Sequence, residues 1–365
     1  MNPTPETPLL ARSATQPPQR RVIVDTDGGV DDAAALWFLL GEPTIDVVAI
    51  TIVWGNVDTG VAASSVCRVL EAAGRPDIPV AIGRDTPFAA APELTPATFI
   101  HGDDGLGNTN RPPASFGPIT TSAVQLLREM AMAEAGELSL LTLGPLSNIA
   151  ELVTTHPEIA GCFADIVIMG GVANGPGNAL PLGEANIAHD PAAAAAVLSA
   201  GWCRPGVLVG LDVTHKATFT KTEVDLLAKH RSAAAAFLDE PLAFYRRFGG
   251  VFCPDGESPC HDLLAAMVMA DISLVDAPLL PVAIDTSGGA AWGTTVVDLR
   301  RPFFARGGDA SAQDAMPGSV PWRVALDVDV PRFRSLLRTL LGGDSEDGVR
   351  PDDVQGSATT PQETP

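Results

Sequence analysis

Lysine is scarce in this sequence of 365 residues, where only Lys216, Lys221 and Lys229 occur. A mechanism that needs a lysine in the first two hundred residues is therefore excluded. Basic residues as a whole are few, because 23 lysines and arginines stand against 44 aspartates and glutamates and give a formal charge of −21. A surface that negative repels phosphate backbones and anionic lipid headgroups. We therefore expect neither nucleic acid nor a membrane as a partner.

Paired cysteines and long apolar runs are also missing. The five cysteines form no CxxC pair, and their odd number argues against a complete disulfide framework or a zinc ribbon. The first twenty residues contain no apolar stretch of the kind found in secretion signals, and no run elsewhere has the length of a membrane span. These features predict a soluble, cytoplasmic protein.

The two ends of the chain differ in composition from the middle. Residues 1–20 contain five prolines and several polar residues, and residues 342–365 contain six carboxylates and one arginine. Such segments bury too little apolar surface to offset the entropy lost on ordering. We expect two disordered tails, the second one acidic, around a single folded domain of residues 21–341.

Within residues 21–341, apolar β-rich runs alternate with alanine- and leucine-rich stretches of helical period. This order predicts an α/β fold in three layers, with a mainly parallel central sheet and helices on both faces. The expected helices are 32–40, 62–73, 122–135, 146–155 and 191–200, with a late helix from Cys260. In such sheets, ligands bind in the crevice at the carboxyl ends of the strands. We expect residues 216–258 to form a helical subdomain over that crevice, and the loop 83–112 to form a flap beside it.

Four carboxylates occur within eight residues at the end of the first predicted strand: Asp25, Asp27, Asp31 and Asp32. Strand alternation places Asp25 and Asp27 on one face, the two glycines that follow allow a sharp turn, and Asp32 is expected to open the next helix. Crowded carboxylates have raised pKa values unless a cation compensates. The cluster therefore predicts a hard divalent metal held by oxygen ligands.

Other readings of the acidic cluster fit less well. A single aspartate there would cap a helix, but capping alone is a poor explanation for four. EF-hand spacing fails, since Val30 and Leu36 stand where glycine and glutamate are required. A magnesium phosphatase of the haloacid-dehalogenase type is the runner-up, because DTDGG is similar to its DxDGT motif. That fold also needs a lysine and then an acidic pair, whereas the only GDD, residues 102–104, precedes every lysine.

The segment DTDGGVDDAAAL, residues 25–36, resembles the signature DTDPGxDDAxAL of the inosine-uridine-preferring nucleoside hydrolase family. It departs from the signature by Gly28 in place of proline, which we expect to loosen the loop while leaving its ligands intact. Further blocks similar to the family follow in family order: WGN (54–56), HGDDGLG (101–107), LGPLSNIA (143–150), MGG (169–171), Asn178, EANI (184–187), DP (190–191), LDVTHKA (211–217) and CHDLLAA (260–266). Together they span nearly the whole predicted domain.

The resemblance implies a Rossmann-like fold of the nucleoside hydrolase type. It also implies calcium-dependent hydrolysis of the N-glycosidic bond of ribonucleosides to free base and ribose, by direct attack of a metal-bound water. The calcium ligands would be Asp27, Asp32, the main-chain carbonyl of Leu143, and Asp262. Asp27 would also act as the general base, and His261 would supply a proton or a hydrogen bond to the leaving base.

The family also suggests which residues would hold the sugar. Asp31 matches the acid that accepts from the ribose 2′-hydroxyl. The remaining candidates for substrate contact are Asn56, Met169, Asn178, Glu184, Asn186 and His101. Negative groups around the sugar suit an oxocarbenium-like transition state.

Base preference does not carry over, because Ala185 stands where many members have an aromatic residue. The family forms homodimers and homotetramers, so we expect one of these here. A catalytically silent nucleoside or ribose binder is the third hypothesis. It would lack a ligand or base, whereas every expected side chain is present.

Overall fold

The computed structural model describes residues 20–89, 94–220, 223–224, 232–248, 257–300 and 316–342. The two predicted tails lie outside the described residues, except that Arg20 already belongs to the first strand and Gly342 follows the last helix. Of the predicted subdomain 216–258, the structure describes residues 216–220, 223–224, 232–248 and 257–258, so this subdomain is seen only in part.

The centre of the fold, within the described residues, is a nine-stranded sheet. The described strands, of which nine form this sheet, are in chain order β1 (Arg20–Thr26), β2 (Ile45–Ile52), β3 (Val80–Ile82), β4 (Leu138–Thr142), β5 (Phe163–Met169), β6 (Val207–Val209), β7 (Thr218–Phe219), β8 (Ser258–Pro259), β9 (Val275–Asp276), β10 (Leu279–Ile284), β11 (Thr295–Val297), β12 (Val320–Val324) and β13 (Asp327–Val328). The order across the large sheet is β11-β10-β12-β6-β5-β4-β1-β2-β3. The strands from β12 to β3 pair in parallel, while β10 pairs antiparallel with both β11 and β12. The predicted mainly parallel α/β sheet is confirmed.

Helices connect these strands. In the described part of the chain they are α1 (Val30–Gly41), α2 (Thr59–Ala72), α3 (Thr98–His101), α4 (Ala123–Ala133), α5 (Ser147–Thr155), α6 (Ala185–His189), α7 (Pro191–Leu198), α8 (Leu211–Thr214), α9 (Ala233–Tyr245), α10 (His261–Ala270) and α11 (Val330–Leu340). Side-chain caps define where several of these helices begin. The Oγ of Ser122 accepts the N–H of Gln125 before α4, and Asp190 caps the N–H of Ala193 before α7, whose first residue is a proline.

Two apolar clusters lie on opposite faces of the sheet. Along β1, Val22 and Val24 belong to one cluster and Ile23 to the other, as expected for side chains that alternate along a strand. The first cluster includes residues of α1, α2, α9, α10 and α11, and the second includes residues of α4, α5 and α7. Helices therefore cover both faces of the sheet.

The carboxyl ends of the parallel strands form the crevice in which the predicted site residues lie. One side of it carries α3 from the loop 83–112, and another carries α9, which lies in sequence between the antiparallel partners β7 and β8. None of the helices formed by the described residues combines the length and the apolar character needed to cross a bilayer.

Candidate active site

The acidic loop, residues 27–32, joins β1 to α1. Gly28 has a φ of 75°, which turns the chain so that α1 begins at Val30, earlier than predicted. The expectation that Asp32 opens the helix is wrong, because Asp32 is the third residue of α1. Its Oδ2 accepts the N–H of Gly29 at 2.8 Å, which satisfies a donor that the helix start leaves open.

A second acidic segment meets this loop from far along the chain. Asp262 is the second residue of α10, and apolar residues of α10 and α1 belong to the same core cluster. Carboxylate oxygens of Asp31, Asp32 and Asp262 lie within 4.8 Å of one another, and all three side chains are buried. Of the ion pairs between described residues, none joins a lysine or arginine to these three acids.

The electrostatics of the cluster favour a bound cation. Burial, and then the charge of Asp32, raises the pKa of Asp31 to about 8. Burial and neighbouring carboxylates also raise the pKa values of Asp27 and Asp262 well above the usual range of an aspartate. Among the described residues, Oδ1 of Asp31 has no hydrogen-bond partner although it is buried. Crowded oxygen donors of this kind suit a hard divalent ion such as calcium.

Asp27 lies beside this trio, directly after the end of β1. Its Oδ1 accepts from Nδ2 of Asn56 at 2.9 Å, and its Oδ2 accepts the main-chain N–H of Asn56 at 2.9 Å. The same Nδ2 is 3.4 Å from Oδ2 of Asp32. Asn56 therefore links the two carboxylates and fixes the orientation of Asp27.

Leu143 and Asn186 form another pair in the crevice. Leu143 follows β4, and its carbonyl oxygen accepts from Nδ2 of Asn186 at 2.9 Å. That Nδ2 is also 3.2 Å from the carbonyl oxygen of Met169, at the end of β5. A carbonyl oxygen has two lone pairs, so the Leu143 carbonyl can accept from Asn186 and still serve as a metal ligand.

A cavity of about 320 Å³ opens above these groups. All the predicted substrate residues line it, together with Leu143, His261 and Asp262: Asp31, Asn56, His101, Met169, Asn178, Glu184 and Asn186. Asp27 and Asp32 lie just outside this lining. Glu184 caps α6 by accepting the N–H groups of Asn186 and Ile187, and Asn178 Oδ1 accepts the N–H of Ala185 at 2.9 Å.

His101 of α3 and His261 of α10 are two of the three described histidines that line the cavity. Burial lowers the pKa of both His101 and His261 to about 3, so both rings are neutral at neutral pH. Nδ1 of His101 is 3.1 Å from the N–H of Val30, and Nδ1 of His261 is 2.8 Å from Oγ1 of Thr214. A neutral imidazole still has one N–H, so each ring can donate a hydrogen bond.

Sequence reasoning missed several residues of the cavity wall. Tyr245 of α9 lines it, with its ring centroid 5.6 Å from that of His101, and the only hint was that it is the single tyrosine of the chain. His189, the last residue of α6, also lines the cavity, and its ring packs edge-on against the ring of Trp54 with 5.3 Å between the ring centroids. Flap residues Leu94, Phe99 and Ile100 complete this wall. Because these residues come from the loop 83–112, from α6 and from α9, and meet only in the folded chain, no local pattern identified them.

Asp104, one of the two aspartates in the GDD segment that was compared with the phosphatase motif, has a structural role. It accepts main-chain N–H groups of Leu106, Asn108 and Asn110 and so organises its own loop. It is not among the residues that line the cavity.

Comparison with known proteins agrees with this geometry. The model of the family described as inosine-uridine preferring nucleoside hydrolase matches residues 22–335. The chain is 37% identical to a probable uridine nucleosidase 2 of Oryza sativa subsp. japonica over 326 residues, which cover 89% of this chain and 94% of that protein. It is 33% identical to the inosine-uridine preferring nucleoside hydrolase of Leishmania major, with 87% and 96% covered.

A solved plant nucleoside hydrolase structure superposes with a TM-score of 0.80 at 32% identity, covering 89% of this chain and 99% of that one. A purine-preferring ribonucleoside hydrolase from Gardnerella vaginalis gives a TM-score of 0.78 at 30% identity, with 88% and 98% covered. The fold, the family model and these relatives agree along the chain and leave no support for the phosphatase. The chain therefore belongs to the inosine-uridine preferring nucleoside hydrolase family, whose members are glycosidases that hydrolyse the N-glycosidic bond of nucleosides.

Proposed function

We propose that this protein is a calcium-dependent ribonucleoside hydrolase that releases a free base and ribose. One observation carries the proposal. Buried carboxylates from two segments far apart in the sequence, the acidic loop and the start of α10, converge at the base of a cavity large enough for a nucleoside, with no lysine or arginine of the described residues paired to them.

The residues that would hold the ion are Asp27, Asp32, Asp262 and the carbonyl of Leu143. All offer oxygen, which is the donor that calcium prefers. When bound, a calcium ion would chelate vicinal sugar hydroxyls and make a coordinated water molecule more acidic. Asn56 and Asn186 hold Asp27 and the Leu143 carbonyl in place through their side-chain amides.

Asp27 is the proposed general base. One of its carboxylate oxygens takes a proton from the water that attacks the anomeric carbon, while Asn56 keeps the carboxylate aligned. Attack by water without a protein nucleophile gives inversion at that carbon. The surrounding carboxylates stabilise the positive charge that develops on the sugar ring in the transition state.

Asp31, Asn178, Glu184 and Asn186 are proposed to hold the sugar. Oδ1 of Asp31, which has no hydrogen-bond partner among the described residues, can accept from the 2′-hydroxyl, and this contact would favour ribose over 2′-deoxyribose. His261 and His101, which also line the cavity, are proposed to donate hydrogen bonds to the leaving base, since charge builds up on the base as the bond breaks.

Uridine is the first substrate to test, because uridine nucleosidases and an inosine-uridine hydrolase are among the relatives. The experiment measures ribose and free base released from uridine, inosine, cytidine and adenosine, with calcium and with a chelator. We expect turnover of at least one ribonucleoside that stops with the chelator. Failure of the calcium-loaded protein to hydrolyse any nucleoside would refute the proposal, and binding without release would identify a silent binder. A homodimeric or homotetrameric state and a cytoplasmic location stay predictions.

A further inference from the structure

We propose that Thr26 is a positioning residue for the metal site, and that the main-chain N–H of Gly28 orients its hydroxyl. The inference rests on the metal site proposed above. It goes further by giving a role to two residues that supply no ligand themselves.

The hydroxyl of Thr26 has a defined direction. Thr26 is the last residue of β1 and is fully buried. Its Oγ1 accepts the N–H of Gly28 at 3.2 Å and donates to Oδ1 of Asp32. Because a main-chain N–H can only donate, the single hydroxyl hydrogen of Thr26 is directed to Asp32.

Asp32 is held from two sides as a result. Oδ1 is fixed by Thr26, while Oδ2 accepts the N–H of Gly29 at 2.8 Å. A rotation of the carboxylate would break at least one of these hydrogen bonds. Hydrogen bonds to an ionised carboxylate are stronger than those between neutral groups, and Oδ1, which accepts from Thr26, keeps a lone pair for an ion. Partners of this kind, which touch a ligand and not the metal, tune metal affinity.

Gly28 distinguishes this arrangement from the family signature. The family signature has proline here, but proline has no N–H and its ring fixes φ near −65°, whereas Gly28 has a φ of 75°. A Cβ atom at Gly28 would also lie 2.6 Å from Cα of Ala62. The residue that departs from the signature therefore supplies a donor that proline lacks, in a turn with a positive φ.

Thr26→Val tests the role, because valine keeps the branched shape and removes the hydroxyl. Thr142→Val is the matched control. Thr142 is also buried and also ends its strand, β4, but its Oγ1 has no hydrogen-bond partner among the described residues. Thr26→Ser restores the hydroxyl. The measurements are calcium affinity of the metal-stripped full-length proteins by titration calorimetry, and the number of coordinated waters from terbium luminescence lifetimes.

We expect Thr26→Val to weaken calcium binding by about ten-fold or more, the usual scale for a lost partner of a metal ligand. Thr26→Ser and Thr142→Val should bind as the wild type does, and the terbium lifetime should change only in Thr26→Val. If Thr26→Val does not fold, Thr26→Ala is compared with Thr142→Ala, with the metal-free melting temperature as the check on folding.

Equal calcium affinity of Thr26→Val and the wild type would overturn the inference alone. An equal loss of calcium affinity in Thr142→Val would also overturn it, because the removal of any buried hydroxyl would then explain the weaker binding. A wild-type protein that binds no calcium would overturn both this inference and the proposed function, so the two failures are distinguishable.

Discussion

The ring nitrogen Nδ1 of His101 accepts the main-chain N–H of Val30 at 3.1 Å. A ring nitrogen that accepts a hydrogen bond carries no hydrogen, so the neutral ring has its proton on Nε2. The N-terminus of α1 therefore sets the tautomer of a histidine that comes from the flap. The donor that His101 offers to a ligand in the cavity is Nε2–H.

His101→Asn tests this donor. The asparagine Oδ1 can accept the Val30 N–H in place of Nδ1, but no donor remains at the position of Nε2. We expect kcat to fall by about 10²-fold, which is the usual effect of removing a group that donates a proton or a hydrogen bond to the leaving group. Calcium affinity and melting temperature should change little. His156→Asn is the control, since His156 does not line the cavity. Unchanged kcat in His101→Asn would remove His101 from the reaction.

Asp27→Ala removes the proposed general base. We expect a loss of at least about 10²-fold in kcat for the best nucleoside substrate, with the fold retained. Steady-state kinetics at saturating calcium measures the loss, and circular dichroism checks the fold. Wild-type turnover in this variant would show that another group takes the proton.

Removal of the metal should lower stability as well as activity. The buried carboxylates repel one another in the metal-free protein, and an ion that binds only the native state adds about 2.7 kcal/mol at a hundred-fold excess over its Kd. We expect the melting temperature to rise with calcium concentration. Scanning calorimetry with a chelator and with increasing calcium measures the rise, and magnesium serves as the comparison. A melting temperature independent of calcium would contradict the proposed site.

His189 should make stability depend on pH. Its Nδ1 donates to the carbonyl oxygen of Ala185 at 2.7 Å, and burial lowers its pKa below the usual 6.5, so the native ring binds a proton less readily than the ring in the unfolded chain. As pH falls below about 6.5, the unfolded chain binds a proton that native His189 does not, and the free energy of unfolding decreases by at most about 1.4 kcal/mol per pH unit. This loss of stability begins as the pH falls to the pKa of His189 in the unfolded chain, and it ends at the lower pKa of His189 in the folded protein.

Urea unfolding of the metal-free protein at pH 7 and pH 5 measures this effect. We expect the wild type to lose more stability between the two pH values than His189→Asn does. An equal loss in the wild type and His189→Asn would show that native His189 is protonated as readily as in the unfolded chain.

Local sequence patterns are sufficient to predict the alternation of strands and helices and the chemistry of the acidic loop. Both follow from neighbouring residues, because apolar periodicity and strand alternation depend only on spacing along the chain. The starts of helices were less well determined. Asp32 looked like the residue that opens α1, but the turn at Gly28 moved the start to Val30 and made Asp32 the partner of the Gly29 N–H.

Which groups meet in the site depends on packing between segments that are far apart in the chain. The approach of Asp262 to Asp31 and Asp32 depends on α10 packing against α1, and the bond from Asn186 to the Leu143 carbonyl depends on α6 lying over the end of β4. The antiparallel hairpin of β10 and β11 at the sheet edge is a further example. Such contacts result from the burial of apolar faces between distant segments, and no local pattern of residues specifies which faces are paired.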